Sequence, residues 1–204
     1  MPLSLWLSMS AICILGAISP GPSLAVVIRN TVTGGRSHGI ITALAHGTGI
    51  AIWALLTATG IGLLISRNPA LFEVIRWTGA VALVYLAIRY LRTRSDGAVP
   101  SDSKQTPIKQ VGSPFRDGFL ISVTNPKIAL FFLALFSQFV RPDADWSEKV
   151  VMVGTASTID TAWYIFVVVT LSHSAILAHL QQRAVLLDRI FGLVLIALAL
   201  AVAI

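Results

Sequence analysis

The chain alternates between long stretches without charge and short clusters of Arg, Lys, Asp and Glu. None of these four residues occurs from Met1 to Ile28, or from Ser37 to Ser66. Each stretch exceeds the roughly 20 residues that an α-helix needs to cross the hydrocarbon of a bilayer. A third apolar stretch, Pro69 to Leu91, carries Glu73, Arg76 and Arg89, which can snorkel toward the interfaces. Three more follow, Gly118 to Val140, Val150 to Ser172 and Leu187 to Ile204. Between the third and fourth, Arg92 to Arg116 is rich in Ser, Gly, Pro, Asp and Lys and has no periodicity, as in a solvated linker. The pattern predicts an all-α integral membrane protein with six transmembrane helices. Five, with a tilted or half-inserted last segment, is the alternative, because the charge-free part of that segment begins only after Arg189.

Composition sharpens the picture. Of 204 residues, 55% are hydrophobic and 12% charged, where a soluble domain has about one-quarter charged. The mean hydropathy of +0.81 agrees. Too few polar side chains remain to solvate an exterior, which excludes a soluble enzyme. The single cysteine, Cys13, lies in an apolar run and supports neither a disulfide framework nor a cysteine metal site. The net charge of +6 does not point to nucleic acid, since the basic residues sit between apolar segments, where anionic lipid headgroups are the expected partners. The first apolar run lacks a basic n-region and a small-x-small cleavage site, so it reads as a retained helix.

With six spans, ten basic residues fall on the face of the first, third and fifth connections, six of them between Arg89 and Arg116. The opposite face holds Arg67, Arg76, Arg141 and Lys149. The positive-inside rule then places the linker in the cytoplasm and both termini outside. Residues 1–91 form a first three-helix half, 92–117 the linker and 118–204 a second half. An odd number of helices per half makes such repeats inverted, a common plan in secondary transporters.

Each half opens with a helix interrupted by proline, Ser19-Pro20-Gly21-Pro22 in the first and Asn125-Pro126-Lys127 in the second. Proline removes an amide donor and frees a carbonyl on its N-terminal side. Within a bilayer such backbone persists only where protein or a water-filled cavity satisfies it, and in transporters these breaks line the substrate site. A simple kink is the competing reading. Counted at 1.5 Å per residue, both breaks lie roughly 10–12 Å inside the cytoplasmic face, so they could face one another across one cavity.

Asp160 is the one acidic residue expected near the middle of a helix, where a carboxyl marks a proton relay or substrate contact. Lys127 lies within about 5 Å of its depth, so a contact between them is geometrically allowed. The pair could be structural, or Asp160 could take up and release a proton. Snorkelling to the interface is the other reading of Lys127. His46 could relay protons, though a histidine bonded to a neighbouring helix is commoner. Gly47 and Gly49, with Ala43 and Ala45, have the small-xxx-small spacing of close helix packing. The five tryptophans read as interfacial anchors or packing. No Walker A loop, dinucleotide fingerprint, zinc-protease motif or nucleophile elbow is present, and no cofactor or metal is implied.

Taken in order, these motifs resemble the LysE/RhtB family of bacterial amino-acid exporters. Ser19-Pro20-Gly21-Pro22 resembles its first-helix signature, and Gly35-Arg36 with Gly39 its basic turn into the second helix. Gly79-Ala80 with Tyr85-Leu86 resembles its third-helix pattern, and Phe115, Gly118 and Asn125-Pro126-Lys127 its fourth-helix entry. Ser137-Gln138-Phe139 stands where the family has Pro-Gln-Phe, and Ser23 where many members have Asn or Asp. The resemblance implies a secondary exporter of small neutral amino acids or derivatives across the bacterial inner membrane, driven by proton antiport or the membrane potential. It implies that both proline motifs lie near the transport path, which makes Pro20, Gly21, Pro22, Ser23, Asn125, Pro126 and Lys127 the candidate path residues, while Asp160 is the candidate for proton coupling from its depth. The partners are then an amino acid, protons, the lipid bilayer and, compatibly, further copies in a homo-oligomer. The alternatives are a non-transporting scaffold or subunit of a larger complex, an exporter of another solute such as a metal cation, and a channel.

Overall fold

The computed structural model describes residues 1–92, 113–140, 144–170 and 184–201. Most of the linker expected at 92–117 lies outside them, as do Arg183 and the last three residues. Seven helices and no strand occur among the described residues: α1 (Leu3–Ile18), α2 (Pro22–Arg67), α3 (Pro69–Leu91), α4 (Pro114–Thr124), α5 (Pro126–Phe139), α6 (Trp146–Thr170) and α7 (Ala184–Ala201). The protein is an all-α membrane protein. By length and hydropathy α2, α3 and α6 can each cross a bilayer, and α4 with α5 makes a fourth crossing if their 54° bend lies within one span. α1 is a shorter apolar helix.

The boundaries follow local chemistry. Proline stands in the first turn of α3, α4 and α5, where its missing amide costs no helical bond. Asn68 caps α3 by accepting from the Leu71 amide at 3.0 Å, and Asn125 caps α5 by accepting from the Lys127 amide at 3.0 Å. Asp145 accepts from the Glu148 amide and the Ser147 hydroxyl, each at 2.8 Å, at the start of α6. The Glu148 amide is the main cause that holds this carboxyl below its ordinary range, with the Ser147 hydroxyl second. Gly35 interrupts the 46-residue α2 at φ 79° and ψ −179°, backbone that is essentially closed to other residues. The interruption falls between the two charge-free stretches that the sequence separates.

α2 packs most extensively against α4 and α6, and α3 against α7 and then α5, while α1 lies mainly on α6. Glycines allow these approaches. A side chain at Gly118 would meet the Thr42 carbonyl, one at Gly47 the Thr161 hydroxyl, and one at Gly49 the Ser122 hydroxyl. Large apolar side chains such as Leu7, Leu56, Val74, Trp77 and Val81 are exposed, whereas Asn30, His46, Asn125, Asp160 and Asp188 are buried. This distribution suits an exterior of lipid and an interior that carries the polar chemistry.

Two clusters tie the ends of the bundle. At one end the Met1 ammonium meets Glu148 at 2.5 Å, and Trp6 Nε1 donates to Thr155 Oγ1 at 3.0 Å. At the other, Arg29 meets Asp117 at 2.5 Å beside Asn30, whose Nδ2 donates to Thr42 Oγ1 at 3.0 Å.

Candidate functional site

The break between α1 and α2 and the break between α4 and α5 meet inside the bundle. Asn125 Nδ2 donates to Ser23 Oγ at 3.3 Å, joining the second break to the first turn of α2. Lys127 Nζ donates to the Ser19 carbonyl at 3.3 Å and to Ser19 Oγ at 3.2 Å. The ammonium also lies 5.0 Å from the ring of Tyr90 and 5.4 Å from that of Phe191, both favourable cation–π distances. The Ser19 carbonyl, at the break between α1 and α2, is therefore met by a lysine from the other break.

A cavity of about 50 Å³ lies between these breaks. Gly21, Ser23, Asn125 and Lys127 line it on the side of the breaks, and His46, Asp160 and Tyr164 on the side of α2 and α6. Ile50, Ile128, Phe131 and Phe132 complete an apolar wall. The volume suits a few water molecules and lies well below the several hundred Å³ typical of ligand pockets. A solute larger than that requires the helices to part.

Of the eight residues assigned to the transport path and proton coupling from the sequence, five, Gly21, Ser23, Asn125, Lys127 and Asp160, line this one cavity. The prolines do not: Pro22 and Pro126 are exposed and Pro20 is half-buried. They form the breaks while their neighbours supply the surface. Lys127 does not contact Asp160 as the depth estimate allowed. It is engaged by Ser19, and Asp160 instead meets His46, with Oδ2 2.7 Å from Nδ1. His46 is 1% exposed, its ring meets Tyr164 edge-on at 4.9 Å, and Nε2 has no partner among the described residues. The histidine is thus bonded to a neighbouring helix, and it also faces the cavity.

Asp188 on α7 was missed by sequence reading. It is 4% exposed and accepts from Ser19 Oγ at 3.1 Å, so Lys127 and Asp188 are linked through one hydroxyl. The charge-free part of this segment begins only after Arg189, which leaves Asp188 outside it. The signal that would have placed it is helical spacing, since Asp188, Phe191, Leu195 and Ala199 share the buried face of α7. The same spacing puts Asp160 in a buried row with Met152, Ala156, Tyr164 and Val168.

The arrangement suits a small dipolar solute. α2 begins at the cavity, where the positive end of its dipole together with Lys127 favours negative charge, whereas the first-turn amides of α5 are already taken by Asn125. Asp160 opposite favours positive charge.

A LysE type translocator family model matches residues 14–204. A protein described as an uncharacterized membrane protein of Vibrio cholerae serotype O1 is 29% identical over 183 residues, covering 89% of this chain and 85% of its own. The uncharacterized membrane protein YrhP of Bacillus subtilis is 22% identical over 186 residues, covering 88% and 89% respectively. No solved structure matches the chain.

Proposed function

Because the chain belongs to the LysE-type translocator family, whose members are membrane exporters of small solutes and not enzymes, we propose that it exports small neutral amino acids or close derivatives across the bacterial inner membrane. Proton antiport or the membrane potential drives it. The observation that carries this reading is the cavity where two broken helices meet, with Lys127 and the N-terminus of α2 on one wall and Asp160 on another. The substrate enters from the cytoplasm with its carboxylate toward Lys127 and the first-turn amides of α2. Asp160 holds the ammonium or carries the coupling proton. Rocking of the halves 1–91 and 118–204 then opens the site outward.

The break at Gly35 supports reading α1 with residues 22–34 as one span and residues 36–67 as the next. Adding α3, α4 with α5, α6 and α7 gives six spans, with linker 92–117 in the cytoplasm. The apolar wall of Phe131, Phe132 and Ile128 favours a small side chain.

Cells expressing the protein and fed alanine- or threonine-containing dipeptides test the reading. They should release the liberated amino acid faster than cells expressing Asp160→Asn at equal membrane abundance. Equal release by the two would overturn the role given to Asp160, and equal release with and without the wild-type protein would overturn the export of these amino acids.

A further inference from the structure

We propose that His46 carries the coupling proton, by competing with the substrate's ammonium for the Asp160 carboxylate. The inference rests on the export reading and assigns the antiport to a specific pair.

Three observations support it. His46 and Asp160 form a direct pair, Nδ1 to Oδ2 at 2.7 Å, at the wall of the cavity. The second ring nitrogen is buried without a partner among the described residues, an arrangement that packing does not require and that buried polar groups normally avoid. Imidazole is also the side chain whose ordinary proton exchange lies nearest neutrality. A histidine that served only to join α2 to α6 would need one nitrogen. Nε2, unpartnered among the described residues in a ring that lines the cavity, is the nitrogen that exchanges the proton once the helices part.

The groups around the pair fix the charge balance. Tyr164 on α6 meets the His46 ring, Cys13 on α1 lines the same cavity, and Lys127 on α5 stands across it. Asp188 on α7 lies behind Ser19 and is engaged there. Besides Asp160, no carboxylate among the described residues lines the cavity. One carboxylate neutralises one cation in so apolar a surrounding. With Nδ1 and Nε2 both protonated, the imidazolium is that cation. When a substrate ammonium reaches Asp160, two cations would share one carboxylate beside Lys127, so His46 releases its Nε2 proton to the solvent that admitted the substrate. On the opposite side, a proton returning to Nε2 restores the imidazolium and expels the ammonium. Mutually exclusive occupation of Asp160 makes the exchange an antiport.

The 204-residue protein in weakly buffered detergent solution near pH 6.5, with a pH-indicator dye and alanine, threonine and leucine as probes, tests the pair. Binding of a probe, followed separately by tryptophan fluorescence, should release about one proton per chain by linkage. His46→Asn keeps an amide near Nδ1 to donate to Asp160 but has no group to titrate. It should bind with no proton release. In proteoliposomes it should keep exchange of labelled for unlabelled amino acid at a reduced rate, lose accumulation driven by a pH gradient, and lose its dependence on pH between about 5 and 8. Binding by the wild type with no proton released would overturn the inference while leaving export standing, and so would gradient-driven accumulation by His46→Asn with the wild-type pH profile. Absence of both binding and movement for every probe with folded wild type would overturn the export reading for these amino acids and this inference with it.

Discussion

Asp160 and His46 hold each other across two helices, and the cost of separating them depends on what is left behind. Asp160→Ala leaves Nδ1 of His46 buried without its acceptor, a loss of about 1–3 kcal/mol. Asp160→Asn retains an acceptor there. Thermal unfolding in detergent should therefore place Asp160→Ala clearly below the wild type and Asp160→Asn close to it, and equal midpoints for the two would contradict the pairing. Ser19 has a similar position on the opposite wall, where its hydroxyl accepts from Lys127 and donates to Asp188. At this scale the sequence revealed the depth of Asp160 and Lys127 but not their partners. Depth follows from counting along one helix, whereas a partner depends on the rotation of two helices about their axes. Asp188 was hidden by its charged neighbour, although its spacing with Phe191 and Leu195 pointed it inward.

Helices approach one another in this fold where side chains are missing. Gly118 of α4 lies against the Thr42 carbonyl of α2, so Gly118→Ala forces backbone apart, at a typical overpacking cost of about 1–3 kcal/mol. Gly35 meets nothing that a side chain would strike, yet its φ of 79° is closed to alanine. Gly35→Ala should cost about 1–3 kcal/mol through backbone strain alone. The two differ in rescue. Thr42→Ala cannot relieve Gly118→Ala, because the obstacle is main chain, and Gly35→Asn should recover little because its ψ lies outside the left-handed helical region. Unfolding midpoints of the four variants test this, and a wild-type midpoint for Gly118→Ala would contradict the close approach of α2 and α4. The prolines and charge-free stretches made the helix breaks legible beforehand. The division of labour at those breaks was not, since proline chemistry predicts where a helix stops and not which neighbour faces a cavity.

The whole molecule places an ion pair at each end of its polar interior, Met1 with Glu148 at one and Arg29 with Asp117 at the other. Ser113 at the start of α4 and Ser147 at the start of α6 are exposed at the two ends of the α4–α5 pair. With the linker in the cytoplasm, Ser113→Cys should react with an impermeant maleimide only in inside-out vesicles, and Ser147→Cys only in right-side-out ones, in a Cys13→Ala background. The reverse pattern would invert the direction assigned to the substrate. Charge bias along the chain is the basis of this orientation, and the ordered motifs foretold the family, because both can be read without knowledge of packing. The closeness of the two breaks was an inference from counting, and the Asn125–Ser23 and Lys127–Ser19 bonds now give it a geometric basis.

The central claim is that an amino acid crosses through the cavity between those breaks in exchange for protons. Its most direct test is movement of labelled alanine, threonine or leucine in proteoliposomes under an imposed proton gradient, with Asp160→Asn measured in parallel. The account predicts movement of one or more of these against the proton flux, abolished by collapsing the gradient and absent in the variant. Movement that persists at the wild-type rate in Asp160→Asn, or no movement of any of the three by folded wild type, would contradict it.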